Sequence, residues 1–186
     1  MPHTTQDWTA EQLRALPDDG RRYEVIDGEL LVTPAPRLAH QSAVAEMWRL
    51  LADHAKRVGA GFAFMSPADI EFDPKTMVQP DVFVTAPVDG RRPRDWSDIT
   101  DLMLAVEVLS PSTARADRQV KRRLFQRRGV PEYWIVDLDA RLIERWRPDD
   151  ERPELLAETL VWQPSAEAEP LEIDLPRFFG EVMGEG

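Results

Sequence analysis

Apolar and polar residues alternate along this chain with two periods, and the switches between them mark out the elements. Thr9-Ala10-Glu11-Gln12 has the form of a capping box ahead of Leu13 and Leu16, which predicts a short helix over 9–16. Strand-like runs at 23–26 and 29–32 flank Asp27-Gly28, a pair suited to a two-residue hairpin turn with positive φ. Pro34 and Pro36 then interrupt the chain. Beyond them Val44, Met47, Trp48, Leu51, Ala55 and Val58 recur at helical spacing, predicting a helix over 37–58 that stops at Gly59. Strand-like runs follow at 61–65, 70–72 and 78–85. A polar, proline-rich loop over 87–98 separates them from 102–109, the most apolar run in the chain. Ser110-Pro111-Ser112-Thr113 reads as a turn into a helix over about 115–128 that ends at Gly129. Two more strands are expected at 132–137 and 142–146, another within 154–162, and a closing helix over 175–183. The order predicts a mixed α/β fold in which helices interrupt a sheet of mainly hairpin-linked strands.

Against this pattern, certain charges stand in the wrong places. Asp81 lies in Val78-Gln79-Pro80-Asp81-Val82-Phe83-Val84, and Glu107 in Leu104-Ala105-Val106-Glu107-Val108-Leu109. A buried, unpaired carboxylate costs several kcal/mol or takes up a proton, so stability alone would favour Val or Ile there. The structural alternative for each is a strand-end acid paired with a surface arginine. Glu24 alternates with apolar neighbours and fits a solvent-facing position on an edge hairpin equally well. Lys121 is the fourth anomaly. Val120, Leu124 and Phe125 define the inward sector of its helix, and Lys121 and Asp117 fall inside that sector. The chain has 20 arginines and three lysines, so an inward lysine suggests a site that needs an amine rather than a guanidinium fork. The bland alternative is an i,i+4 ion pair with Asp117, worth about 0.3–0.5 kcal/mol. Two carboxylates on adjacent strands can hold a Mg2+-type ion, and a nearby ammonium can position a water or stabilise charge on a phosphate.

Composition narrows the chemistry further. The 186 residues suit one domain, and the absence of cysteine excludes a disulfide framework, a thiolate metal site and a cysteine nucleophile. Three histidines, His3, His40 and His54, leave little scope for a multi-histidine metal centre. His40 is read as an ordinary first-turn residue of its helix. The net charge of −11 is uneven: residues 149–186 hold 11 acids against two arginines, whereas 114–128 holds seven bases and one acid. Acidity overall argues against indiscriminate nucleic-acid binding, and the basic helix, with Arg118, Arg122 and Arg123, leaves room for focused phosphate contact. No apolar run is long enough to span a membrane, and residues 1–8 lack the basic and apolar segments of a signal peptide. A cytoplasmic protein with no membrane partner is expected.

Pro80-Asp81, then Glu107, then a lysine resembles the PD-(D/E)xK, restriction-endonuclease-like superfamily. The chain resembles one branch more closely, the bacterial Uma-type family. The matching segments are Tyr23-Glu24-Val25-Ile26-Asp27-Gly28-Glu29-Leu30, His40-Gln41, Gln79-Pro80-Asp81-Val82 and Val106-Glu107-Val108-Leu109-Ser110-Pro111-Ser112-Thr113, followed by Asp117-Arg118-Gln119-Val120-Lys121 and the run from Gly129 to Asp137. Together they cover about residues 20–147. The resemblance implies a restriction-endonuclease-like mixed sheet flanked by helices, in a single domain over 1–186 with an acidic C-terminal extension over 149–186. It also implies a DNA endonuclease dependent on Mg2+ or Mn2+, with Asp81 and Glu107 as metal ligands, Lys121 as the catalytic lysine and Glu24 as a further acid. DNA is the implied partner, and the resemblance admits a homodimer. Leu109 stands where the wider superfamily has its lysine, so the amine must come from the next helix. Phe125 replaces a tyrosine common in the branch. Lys121→Met is expected to remove the charge and keep the fold. A nuclease fold serving only as a binding or interaction module is the alternative function. A two-carboxylate glycosidase would leave both Lys121 and the basic helix unexplained.

Overall fold

A computed structural model describes residues 7–185. Helix α1 (Ala10–Arg14) carries the expected capping box on Thr9 and Gln12. Strands β1 (Arg22–Ile26) and β2 (Glu29–Thr33) form the expected hairpin, and Asp27 and Gly28 both take positive φ at its turn. Helix α2 (Leu38–Val58) follows, ended by Gly59 in the left-handed conformation. Then come β3 (Phe62–Met65), β4 (Ile70–Asp73), β5 (Thr76–Val78), β6 (Val82–Thr85) and β7 (Leu104–Val108). A π-helical stretch (Ala116–Lys121) runs into α3 (Arg122–Arg127). The remaining elements are β8 (Glu132–Asp137), β9 (Leu142–Trp146), β10 (Glu154–Leu156), β11 (Thr159–Trp162), β12 (Leu171–Asp174) and α4 (Leu175–Met183).

Six strands form the main sheet in the order β10-β9-β8-β7-β6-β3. Its neighbours pair antiparallel except β7 and β8, which are parallel and joined through the π stretch and α3. Alternation along β7 sorts its side chains between two cores. Leu104, Val106 and Val108 pack with Met47 and Leu51 of α2, Phe178 and Phe179 of α4, and Trp134. Ala105 faces the other way, with Leu124 and Phe125 of α3 and Phe83 of β6. Glu107 shares the parity of Ala105, so it points toward the helix that carries Lys121.

Two expectations are corrected here. The run 78–85 is two strands in two different sheets. β5 belongs to a second, four-stranded sheet of order β2-β1-β5-β4, and β6 to the main one. Pro80 lies between them. It has no N–H to donate, so it cannot continue a central ladder, and the chain steps from one sheet to the other. The run 154–162 divides in the same way: β10 extends the main sheet, and β11 pairs with β12, a strand the sequence pattern does not reveal. The acidic stretch 149–186 is built into the core, to which it contributes Leu160, Trp162, Ile173, Leu175, Phe178, Phe179 and Val182. Among the described residues, no helix is long and apolar enough to cross a membrane.

Candidate active site

The register of β6 on β7 pairs Val82 with Val106, so the next step along both strands sets Asp81 opposite Glu107. Lys121 comes from the π stretch above them. Its Nζ lies 2.8 Å from Glu24 Oε2, 2.9 Å from Glu107 Oε1 and 3.7 Å from Asp117 Oδ1. The four residues proposed from sequence are all buried: Glu24 is 1%, Asp81 2%, Glu107 2% and Lys121 3% exposed. Three of them, Glu24, Glu107 and Lys121, meet in one ion cluster. Asp81 stands beside that cluster with its own partners. Its Oδ1 accepts from Arg22 Nη1 at 2.7 Å, and its Oδ2 accepts from the Val108 N–H at 2.8 Å and lies 3.2 Å from His40 Nε2. A carboxylate only accepts, so His40 carries its proton on Nε2.

The junction between the sheets is held by the same groups. Glu24 Oε1 accepts from the Gln79 N–H at 2.8 Å, and Arg22 Nη1 donates to the Gln79 carbonyl at 3.1 Å. Both backbone groups of Gln79 are thus satisfied by β1 side chains, and Asp81 is delivered to the head of β6. The π geometry has a local partner too. The Arg122 N–H reaches the Asp117 carbonyl five residues back, and Tyr133 Oη donates to that carbonyl at 3.2 Å.

Asp81, Glu107 and Lys121 line a cavity of about 560 Å3, together with Arg22, His40 and the Ser110–Thr113 turn. Glu24 and Asp117 are absent from its wall and stand behind Lys121. Burial works against the Lys121 ammonium, but Glu107, Glu24 and Asp117 outweigh it and raise its pKa well above the usual range. Burial also lifts Glu107 well above an ordinary glutamate; Lys121 opposes this, and the neighbouring carboxylates reinforce it. Asp117 is pushed up to about 6, by burial first and against the pull of Lys121. Burial alone would raise Asp81, yet the His40 hydrogen bond, the Arg22 charge and the Val108 N–H hold it well below the usual carboxylate range.

The donor set fits a hard divalent cation. Four carboxylates face two permanent cations. Glu107 Oε1 takes the lysine, while Oε2 takes no donor among the described residues and Glu107 opens on the cavity. No group of three or more His, Asp or Glu side chains arranged to hold a metal ion occurs among the described residues. A Mg2+-type ion held by the two cavity carboxylates, Asp81 and Glu107, would keep water and substrate oxygens in its other positions.

Sequence comparison gives this site its context. A family model described as "Putative restriction endonuclease" matches residues 10–176. The chain belongs to the Uma2 family. The match is wider than the 20–147 over which the motifs run, and takes in β10 to β12. A solved structure titled as a "putative nuclease belonging to DUF820 from Anabaena variabilis ATCC 29413" superposes with a TM-score of 0.77 at 18% identity, over 94% of this chain and 99% of that chain. The likeness is one of fold, which is restriction-endonuclease-like. No curated protein matches.

The basic helix, which its charge run left free for phosphate contact, has two of its arginines engaged within the protein. Arg118 donates to Glu144 at 2.6 Å and Asp137 at 2.8 Å, and Arg122 lies 4.6 Å over the Trp146 ring. These two arginines brace α3 against β8 and β9, and the cavity wall includes neither of them nor Arg123. No motif in the sequence picks out Arg22, and His40, within the matching His40-Gln41 segment, reads there as an ordinary first-turn residue. Arg22 stands two residues before Glu24, so the two share one face of β1; that alternation is the signal that could have found it. His40 lies in the first turn of α2, where a side chain can reach the head of a neighbouring strand.

Lys121 is also more than a removable charge. Deleting one partner of a buried ion cluster leaves its counter-charges uncompensated, at about 3–5 kcal/mol. Lys121→Met should therefore keep the fold but lose stability of that order in urea at pH 7. Denaturation within 1 kcal/mol (on the order of experimental scatter) of the parent would contradict the ion-cluster assignment. A second prediction concerns Asp117. Its folded pKa of about 6 exceeds the ordinary 3.8, so the folded state binds the extra proton and this group's contribution falls as pH rises between those values. Two units correspond to about 3 kcal/mol. Asp117→Asn should gain stability relative to the parent across pH 4 to 6.5, as read by paired denaturation curves. A difference that stays flat over that range would show that Asp117 is ionised throughout.

Proposed function

We propose that this protein is a Mg2+-dependent DNA endonuclease that hydrolyses phosphodiester bonds in the cavity at the head of β6 and β7. The observation that carries this reading is the placement of Asp81, Glu107 and Lys121 on one cavity wall, from three separate elements. Membership of a family described as restriction endonucleases supports it. Asp81 and Glu107 would hold the metal. Bound there, Mg2+ supplies an acidified water and offsets charge gathering on the phosphate.

The chain's own residues do the rest. Lys121 stays protonated at neutral pH, so it acts as a charge and a hydrogen-bond donor toward phosphate oxygens or the attacking water, and not as the base. One of its protons is donated to Glu107, and the Glu24 carboxylate stands 2.8 Å away as a second counter-charge; together they fix the ammonium in place. Leu109 is packed against the apolar cluster on the α3 side, so the amine that the wider superfamily carries at this position reaches the site from the helix instead. Exposed Arg21 and Arg37 line the cavity together with the half-buried Arg22, which gives phosphate a basic approach to the site.

The test is supercoiled plasmid incubated with Mg2+ or Mn2+, against EDTA and an Asp81→Ala control. Nicking or linearisation should require the metal and fall at least 100-fold (on the order expected for loss of a metal-held transition state) in Asp81→Ala. Absence of cleavage by a protein shown to bind the metal would overturn the enzyme reading and leave a binding module with a nuclease fold.

A further inference from the structure

The two oxygens of Asp81 are not equivalent. Oδ2 faces the Val108 N–H at 2.8 Å and His40 Nε2 at 3.2 Å, which together occupy both its lone pairs. Oδ1 accepts from one group among the described residues, Arg22 Nη1 at 2.7 Å. Oδ1 is therefore the oxygen through which Asp81 has a lone pair to offer, and a cation already stands on it.

Arg22, half-buried with its side chain 21% exposed, is bound sparingly. Its Nη1 is shared between Asp81 Oδ1 and the Gln79 carbonyl at 3.1 Å, while Nη2 and Nε donate to nothing among the described residues. A guanidinium that served only as a strut would be expected to engage a carboxylate through two parallel bonds. The charges of Asp81, Glu107 and Glu24 all act on it, and its side chain lines the cavity beside Lys121.

We propose that Arg22 is a resident cation that holds the metal's place on Asp81. It neutralises Asp81 in the metal-free protein, cedes Oδ1 when a divalent cation is bound, and presents its freed guanidinium to the phosphate in the cavity. This rests on the metal-dependent reading of the site and adds the residue that competes with the metal. The competing role, a strut that pins the Gln79–Asp81 junction, predicts the opposite sign: loss of Arg22 would misplace Asp81 and weaken metal binding.

The experiment is calorimetric titration of Mn2+ into the full chain, its Arg22→Gln variant and its Arg22→Lys variant, with melting temperatures in EDTA and in Mn2+. Arg22→Gln should melt below the parent in EDTA and bind Mn2+ about tenfold more tightly, the equivalent of one charge-assisted hydrogen bond no longer in competition. Its rise in melting temperature on adding Mn2+ should exceed the parent's. Arg22→Lys keeps a charge but not the shared contact, so it should bind severalfold more tightly; it carries the measurement if Arg22→Gln does not fold. Mn2+ bound by the parent with equal or greater affinity than by a folded variant would overturn this proposal alone. Failure of both parent and variants to bind Mn2+ would overturn the metal-dependent reading, and the proposal with it.

Discussion

An ammonium group with almost no exposure to water is tolerable only where carboxylates replace its hydration shell. Lys121 meets that condition with Glu24 and Glu107 in contact and Asp117 slightly further away. The three acids come from the second sheet, the main sheet and the helix itself, so satisfying this one charge requires all three layers to be assembled. The requirement runs in both directions. Without the lysine, three carboxylates would face one another in a dry interior; without the layers in register, the lysine would be stranded. The chemistry of the site and the assembly of the fold draw on the same ion cluster.

The second constraint is the short passage Gln79-Pro80-Asp81. It carries the chain from one sheet to the other, and its polar backbone groups are met by Arg22 and Glu24. Asp81 is thereby fixed against the Val108 N–H rather than left on a mobile loop. Placing an acid at a sheet junction gives it a rigid backbone and an open side, a combination that a residue in mid-strand lacks.

Much of this was legible in the sequence, for identifiable reasons. Asp81 and Glu107 stand out because an acid in an apolar strand is costly. Lys121 stands out because lysine is scarce here and falls on the inward face of its helix. Helices with strong periodicity and turns with obligatory positive φ, such as Asp27-Gly28, were equally visible. What was hidden depends on long-range pairing or on degeneracy. The pairing of β1 with β5 joins residues some fifty positions apart, Val25 with Met77, and nothing local announces it. Arg22 is one of 20 arginines, and only its partners distinguish it. Arg118 of the basic helix reads as a phosphate contact because charge runs look alike until its counter-ions, Glu144 and Asp137, are placed. The π-helical turn has no sequence signature; only the structure shows the Asp117 carbonyl shared between the Arg122 N–H and Tyr133.

In the proposed enzyme, Asp81 and Glu107 would hold one metal ion on the wall that also presents Lys121. Anomalous diffraction from a crystal soaked in Mn2+ tests it most directly. A single strong peak is expected at coordination distance from both Asp81 Oδ1 and Glu107 Oε2, on the cavity side of Lys121. A peak at some other position, or none at a Mn2+ concentration that supports DNA cleavage, would contradict the account.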